Sequence, residues 1–161
     1  MQNQIEIKEV KNTEDFLAAK KLIHEYIEWL GTDLSFQNFD KEMDTLPETY
    51  GNLDGRLFIA VINNKAVGVA GIKRFNDKEC EVKRMFVQPN SRGFNVGKLL
   101  LTECIEMAKK LNYYTIKLDT LDFMKSAIKL YTENGFVEIS AYRHNPYKEA
   151  KYFELRLKKN Q

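Results

Sequence analysis

The chain has 161 residues, 43% hydrophobic and 30% charged, which suits one compact domain over 1–161 with a sizeable core rather than two domains. Its formal net charge is +2 with basic and acidic residues interspersed, so no field strong enough to hold a polyanion arises and nucleic acid is not an expected partner. No stretch approaches the ~20 apolar residues needed to span a bilayer, and Met1 to Lys11 has no apolar run of the secretory kind, so a membrane partner is not expected either.

Ile5 to Val10 alternates apolar and charged residues, the period-two pattern of a half-buried strand. Asn12 or Thr13 can cap a helix in which Phe16, Ala19, Ile23, Tyr26, Ile27 and Leu30 recur at three- and four-residue steps, with Gly31 as its stop. Phe36 to Leu46 reads as a shorter helix, and Pro47 to Gly55 as an exposed loop at a substrate mouth. Leu57 to Ile62 and Ala66 to Phe75 flank Asn63 and Asn64, a pair that accepts the positive φ of a tight hairpin.

Cys80 to Val87 is predicted as the next strand, with Val82, Arg84 and Phe86 on one face and Glu81, Lys83, Met85 and Val87 on the other, until Pro89 ends the pairing. A small polar loop, Ser91 to Gly97, leads into a helix through Leu99, Leu100, Cys104, Ile105, Ala108 and Leu111, and Tyr113 to Leu118 restarts a strand. Strand, helix, strand in that order predicts a right-handed parallel crossover. A helix from about Ser126 through Tyr131, closed by Asn134 and Gly135, and strands over Phe136 to Ser140 and Lys151 to Leu157 complete the chain, with Tyr142 to Ala150 as a long turn. The expected fold class is α/β in the α+β sense: a mixed, mostly antiparallel sheet of about six to seven strands with about four helices on its faces.

Cys80 and Cys104 lack metal-ligand spacing and read as reduced packing residues of a cytoplasmic protein, with no metal expected. His24 and His144 are isolated in sequence and receive no catalytic role. Chemistry concentrates instead in Arg92-Gly93-Phe94-Asn95-Val96-Gly97, followed by Lys98, between a strand and a helix. Unpaired amides and the helix dipole make such a junction an anion site. Gly93 and Gly97 admit a close approach of phosphate oxygens, Asn95 can enter the left-handed region, and Arg92 and Lys98 add positive charge. A nucleotide site is the competing reading of this loop, but Gly-x-x-x-x-Gly-Lys-Ser/Thr and a second parallel βαβ unit are both absent.

With these residues in view, the sequence resembles the GNAT superfamily of N-acetyltransferases. Arg92 to Gly97 resembles motif A, which opens the coenzyme A pyrophosphate helix, and matches it at Arg92 and Gly97. Glu81 to Pro89 looks like the family's splayed fourth strand, and Ala127-Ile128-Lys129-Leu130-Tyr131-Thr132-Glu133-Asn134-Gly135-Phe136 resembles motif B. Trp29 to Gly31, Phe36 to Phe39 and Leu118 to Leu121 are similar to a bacterial subgroup. In two places the chain departs from the pattern: Asn95 replaces the middle glycine, and Met124 stands where many members carry an Asn that contacts pantetheine.

The resemblance implies a parallel, splayed pair of fourth and fifth strands and transfer of acetyl from acetyl-coenzyme A to a primary amine (a small molecule, amino acid or peptide amine) within a ternary complex. It implies that backbone groups near Met85, Phe86 and Val87 bind the pantetheine arm. Arg92, Gly93, Phe94, Asn95, Val96, Gly97 and Lys98 would hold the diphosphate, with Thr120 and Ala127 also toward the cosubstrate. Tyr131 would act as general acid and Glu81 as general base, directly or through water, with Asp119 a second carboxylate to consider. Trp29, Tyr50 and Tyr142 are candidates for an acceptor pocket, and Phe153, Leu155 and Leu157 for a homodimer surface. The alternative is a non-catalytic acyl-coenzyme A binding module that keeps motif A without a competent base.

Overall fold

A computed structural model describes residues 4–31, 33 and 38–157. The elements run β1 (Ile5–Glu9), α1 (Thr13–Leu30), α2 (Phe39–Asp44), α3 (Leu46–Tyr50), β2 (Arg56–Ile62), β3 (Lys65–Arg74), β4 (Glu79–Val87), α4 (Val96–Lys110), β5 (Thr115–Leu121), α5 (Lys125–Glu133), β6 (Val137–Ile139) and β7 (Ala150–Arg156). The strands form one sheet in the order β1-β2-β3-β4-β5-β7-β6. Every neighbouring pair is antiparallel except β4 with β5, which the α4 crossover makes parallel.

Local chemistry sets the boundaries. Asn12 caps α1 by accepting from Asp15 N at 2.8 Å, and Gly31 ends it at φ 67°. Asn63 and Asn64 turn the β2–β3 hairpin at φ 51° and 64°. Two apolar layers then cover the sheet. On one face α4 and α5 bring Val96, Leu100, Leu101, Cys104 and Tyr131 onto Phe58, Ile72, Val82, Ile116 and Phe153. On the other, α1 to α3 bring Ala19, Leu22, Ile23, Met43, Leu46 and Tyr50 onto Leu57, Ile59, Val69 and Phe86.

Several expectations need correction. The segment read as a loop from Pro47 begins as helix α3, because Leu46 and Tyr50 are one turn apart and both bury inward; Tyr50 is 0% exposed and is core, not pocket lining. The helix read over Phe36 to Leu46 is observed only as Phe39–Asp44, and residues 36 and 37 lie outside the described residues. Phe153 is buried, and Leu155 and Leu157 pack against the same core, so these three form no free apolar face.

Strand β4 also breaks the simple alternation. Lys83 pairs with Gly71 and Phe86 with Val69, so β4 advances three residues while β3 advances two. The extra residue is a β-bulge, and Arg84 within it has φ 61°. Val82 therefore joins the α4 layer while Phe86 joins the α1 layer, and the two do not share a face.

Candidate active site

Strand β4 pairs with β5 only from Glu79 to Glu81, against Thr115 to Lys117. Beyond that point β4 continues to Val87 and β5 to Leu121 without pairing to one another, so a wedge opens between them. Backbone groups of β4 that face this wedge lose their ladder partners and become available to a bound molecule.

At the far end of β4, the N-terminus of α4 meets the wedge. Gly93 has φ 90° with nothing within 4 Å of a notional Cβ, and Asn95, the residue before the helix, has φ 64° and makes no side-chain capping bond. The first helical hydrogen bond of α4 runs from Leu99 N to Asn95 O at 3.0 Å, leaving the amides of Val96, Gly97 and Lys98 directed outward. A Cβ on Gly97 would lie 3.3 Å from Leu130 Cδ2, so glycine there permits the close approach of α4 and α5. The loop thus fits a diphosphate: open amides, a helix dipole, and positive charge from Arg92, Lys98, Lys125 and Lys129 along one groove.

That groove, about 820 Å³, runs between β4, the α4 loop and α5. Met85, Phe86, Val87, Arg92, Gly93, Asn95, Val96, Gly97, Lys98 and Ala127, all expected at the cosubstrate, line it. Phe94 does not; its ring is 55% exposed and outside the lining. Arg92 donates from Nε to the Val87 carbonyl at 3.0 Å and lies over the rings of Trp29 (4.7 Å) and Phe86 (5.9 Å), so α1 supplies a wall that the motif alone did not disclose.

The inner end of the groove leads into a smaller polar chamber in the wedge. Tyr26, Leu30, Met85, Met124 and Ala127 line both spaces. Val82, Lys83, Arg84, Asp119, Thr120, Leu121, Tyr131, Asn145 and Tyr147 complete the chamber. Tyr131, on α5, is 5% exposed and packs against Phe136 and Phe153 at 5.8 and 6.4 Å between ring centroids. Burial, with smaller contributions from Tyr26, Cys104 and Asp119, pushes its hydroxyl well above the usual tyrosine range, so it stays protonated. The neighbouring Tyr26 is raised in the same direction, again chiefly by burial.

The two carboxylates considered as base are placed differently. Glu81 is 2% exposed and lies outside the chamber lining; it accepts from the Tyr142 hydroxyl at 2.7 Å and pairs with Arg143 at 3.2 Å. Asp119 lines the chamber and accepts from Asn145 Nδ2 at 3.2 Å. Tyr142 consequently anchors the segment before β7, and Asn145 and Tyr147 on that segment reach the chamber. Asn145 Oδ1 accepts from Tyr147 N at 3.0 Å, and the Tyr147 hydroxyl donates to the Asp33 carbonyl at 2.6 Å.

Tyr26, Lys83, Arg84, Asn145 and Tyr147 are chamber residues that the sequence reading did not assign. One signal was present: Glu81, Lys83 and Arg84 are three charges within four positions of a strand bounded by apolar neighbours, which a purely structural strand does not favour. Among the described residues no cluster of potential metal ligands occurs and no helix is long and apolar enough to cross a membrane.

The seven-stranded sheet with its splayed parallel pair, the open helix start and the chamber lined by a buried tyrosine belong to an acyltransferase. The model of the acetyltransferase (GNAT) family matches residues 21–136, and the chain belongs to that family; it is an N-acetyltransferase by descent and an acyltransferase by class. It is 36% identical over 159 residues to an uncharacterised N-acetyltransferase of Schizosaccharomyces pombe, covering 98% of each chain. Among solved structures, a GNAT-family acetyltransferase from Staphylococcus aureus superimposes with a TM-score of 0.81 at 26% identity, over 96% of this chain and 100% of that one. The PaiA N-acetyltransferase of Thermoplasma acidophilum, solved in complex with coenzyme A, shares the fold with a TM-score of 0.75 at 19% identity, over 96% of this chain and 99% of that one.

Proposed function

We propose that this chain transfers acetyl from acetyl-coenzyme A to a primary amine by direct attack within a ternary complex. The observation that carries the reading is the continuity of the groove with the chamber: one wall, Tyr26, Leu30, Met85, Met124 and Ala127, serves both. A cosubstrate gripped at residues 93–98 has its thioester arm directed along β4 toward Tyr131. The coenzyme A complex of a protein with the same fold supports the cosubstrate.

In this reading the diphosphate takes the amides at the start of α4, and the arm completes the β4 backbone groups that β5 leaves unpaired. An amide of β4 near the bulge polarises the thioester carbonyl. Asp119 receives a proton from the incoming ammonium, directly or through water, and the freed nitrogen lone pair forms the C–N bond. The C–S bond then breaks, and the sulfur takes its proton from Tyr131, which is replenished from solvent. Two protons leave the nitrogen, one equivalent ends on sulfur and one is released. Glu81, engaged with Tyr142 and Arg143, holds the strap that closes the chamber.

The test is release of free thiol from acetyl-coenzyme A across a panel of primary amines, compared with Tyr131→Phe. Amine-dependent release that falls in the variant is expected. Binding of coenzyme A without release in the presence of any amine would replace this reading with a non-catalytic binding module.

A further inference from the structure

The diphosphate loop and β4 meet at one carbonyl. Gln88 N donates to the Val67 carbonyl at 2.9 Å, which makes the next pair along, Gly68 with Val87, the kind in which the two residues do not bond to each other's backbone. Val87 therefore turns its own N–H and carbonyl away from β3, toward the side that β5 has left. An extended arm running along β4 would seek a hydrogen-bond acceptor there. That acceptor is already engaged, because Arg92 Nε donates to the Val87 carbonyl at 3.0 Å.

The rest of the guanidinium lies against the groove wall. It stands 4.7 Å from the centre of the Trp29 ring and 5.9 Å from that of Phe86, and among the described residues no carboxylate pairs with it. Trp29 is steadied one turn earlier on α1, where Glu25 Oε2 accepts from Gln88 Nε2 at 2.8 Å. A carbonyl and two ring faces offer a cation partial charge only, whereas a diphosphate offers full charge and takes a guanidinium through paired hydrogen bonds. Arg92 is thus seated on weaker partners beside the loop that suits the stronger one.

We propose that Arg92 sets the donor specificity: its guanidinium occupies the Val87 carbonyl until a diphosphate draws it away, so that the arm binds well only as part of a molecule that carries a diphosphate. Arg92 adjoins Gly93, where the cradle begins, so a change of rotamer moves the side chain from one partner to the other. A coenzyme A thioester clears the acceptor its own arm needs. A pantetheine thioester lacking the diphosphate must compete with the arginine for it. The assignment rests on the acyl-transfer reading above, with coenzyme A in the groove.

The experiment titrates coenzyme A, and pantetheine as the arm without its nucleotide, into the wild-type chain and Arg92→Met, with affinity read by calorimetry and by Trp29 fluorescence. Arg92→Met is expected to bind pantetheine about 10-fold more tightly than the wild type, the order of one hydrogen bond from a charged group with a ring contact at an exposed site, and coenzyme A no more tightly. In the wild type, saturating inorganic pyrophosphate is expected to tighten pantetheine by a similar factor, and in the variant to leave it unchanged, since the coupling runs through the arginine. The wild-type measurement stands whether or not the variant folds. Pantetheine binding that the substitution leaves unaltered or weakens, or that pyrophosphate fails to tighten in the wild type, would overturn this assignment and leave acyl transfer standing. No affinity for coenzyme A in well-folded wild type would overturn both.

Discussion

Arg84 donates to Glu42 at 2.7 Å from a strand position whose φ is 61°, with both side chains buried and the guanidinium 5.2 Å from the centre of the Phe39 ring. The left-handed conformation carries a cost for a non-glycine residue, and α2, which supplies Glu42 and Phe39, offsets it. The bulge that results turns Phe86 toward α1 and keeps Met85 on the wall shared by groove and chamber. A short helix thus bears on the course of the strand along which the reacting arm is proposed to lie.

Glu42→Ala removes the carboxylate from a buried guanidinium and is expected to cost about 3–5 kcal/mol of stability. Urea denaturation measures this. A loss below about 1 kcal/mol, the range of exposed pairs, would show that the pair does not hold the bulge.

Asn95 tests the loop. Because its φ is 64°, Asn95→Gly is expected to preserve both stability and coenzyme A affinity, whereas Asn95→Val forces a β-branched residue into the left-handed region at about 1–2 kcal/mol. Calorimetry on the two variants should therefore separate them, with the valine variant weaker.

Tyr131→Phe is expected to lower kcat about 10²-fold with little change in acetyl-coenzyme A affinity. The pH dependence supplies a second readout. Since burial raises the hydroxyl above its ordinary 10.0, the wild-type rate should show no decline from its ionisation up to pH 10. A fall well below that pH that disappears in the phenylalanine variant would contradict the assigned protonation.

Lys83 has a stability signature of its own. Burial pulls its ammonium below the ordinary 10.5, against the raising effect of Glu81 and Asp119. Between the lowered folded value and 10.5 the unfolded chain keeps a proton that the folded chain gives up, so this residue's destabilising contribution is full below that window and fades as pH rises through it. Lys83→Met is expected to be more stable than the wild type at pH 7, with the gain shrinking toward pH 10.5, as chemical denaturation at several pH values would show.

Trp29 is the chain's single tryptophan, 44% exposed at the groove with Arg92 stacked on it. Coenzyme A in the groove should change its fluorescence. An unaltered spectrum at saturation, with binding verified independently, would place the cosubstrate away from α1.

Where one residue's chemistry decides the local structure, the sequence was legible. Asn12, the Asn63–Asn64 pair and Asn95 took the conformations their side chains favour, Gly31 took the one its missing Cβ allows, and the seven-strand sheet with its parallel pair follows from the order of the elements. What stayed hidden depends on distant parts of the chain. Tyr50 lies at a helix end that residues distant in sequence, Gly71 and Leu57 among them, make a core site; a Cβ on Gly71 would meet the Tyr50 ring at 2.8 Å. The β4 bulge breaks a period-two pattern that the residues themselves display, because its anchor, Glu42, is 42 positions away. Nor does the sequence disclose that Tyr142 and Arg143, on the segment before β7, engage Glu81 while Asp119 lines the chamber.

Calorimetric titration of acetyl-coenzyme A into the folded wild-type chain tests the central claim most directly. One-to-one binding that weakens with added salt, as contacts from the α4 amides, Arg92 and Lys98 to a diphosphate require, is the predicted result. No binding to well-folded protein would contradict the account.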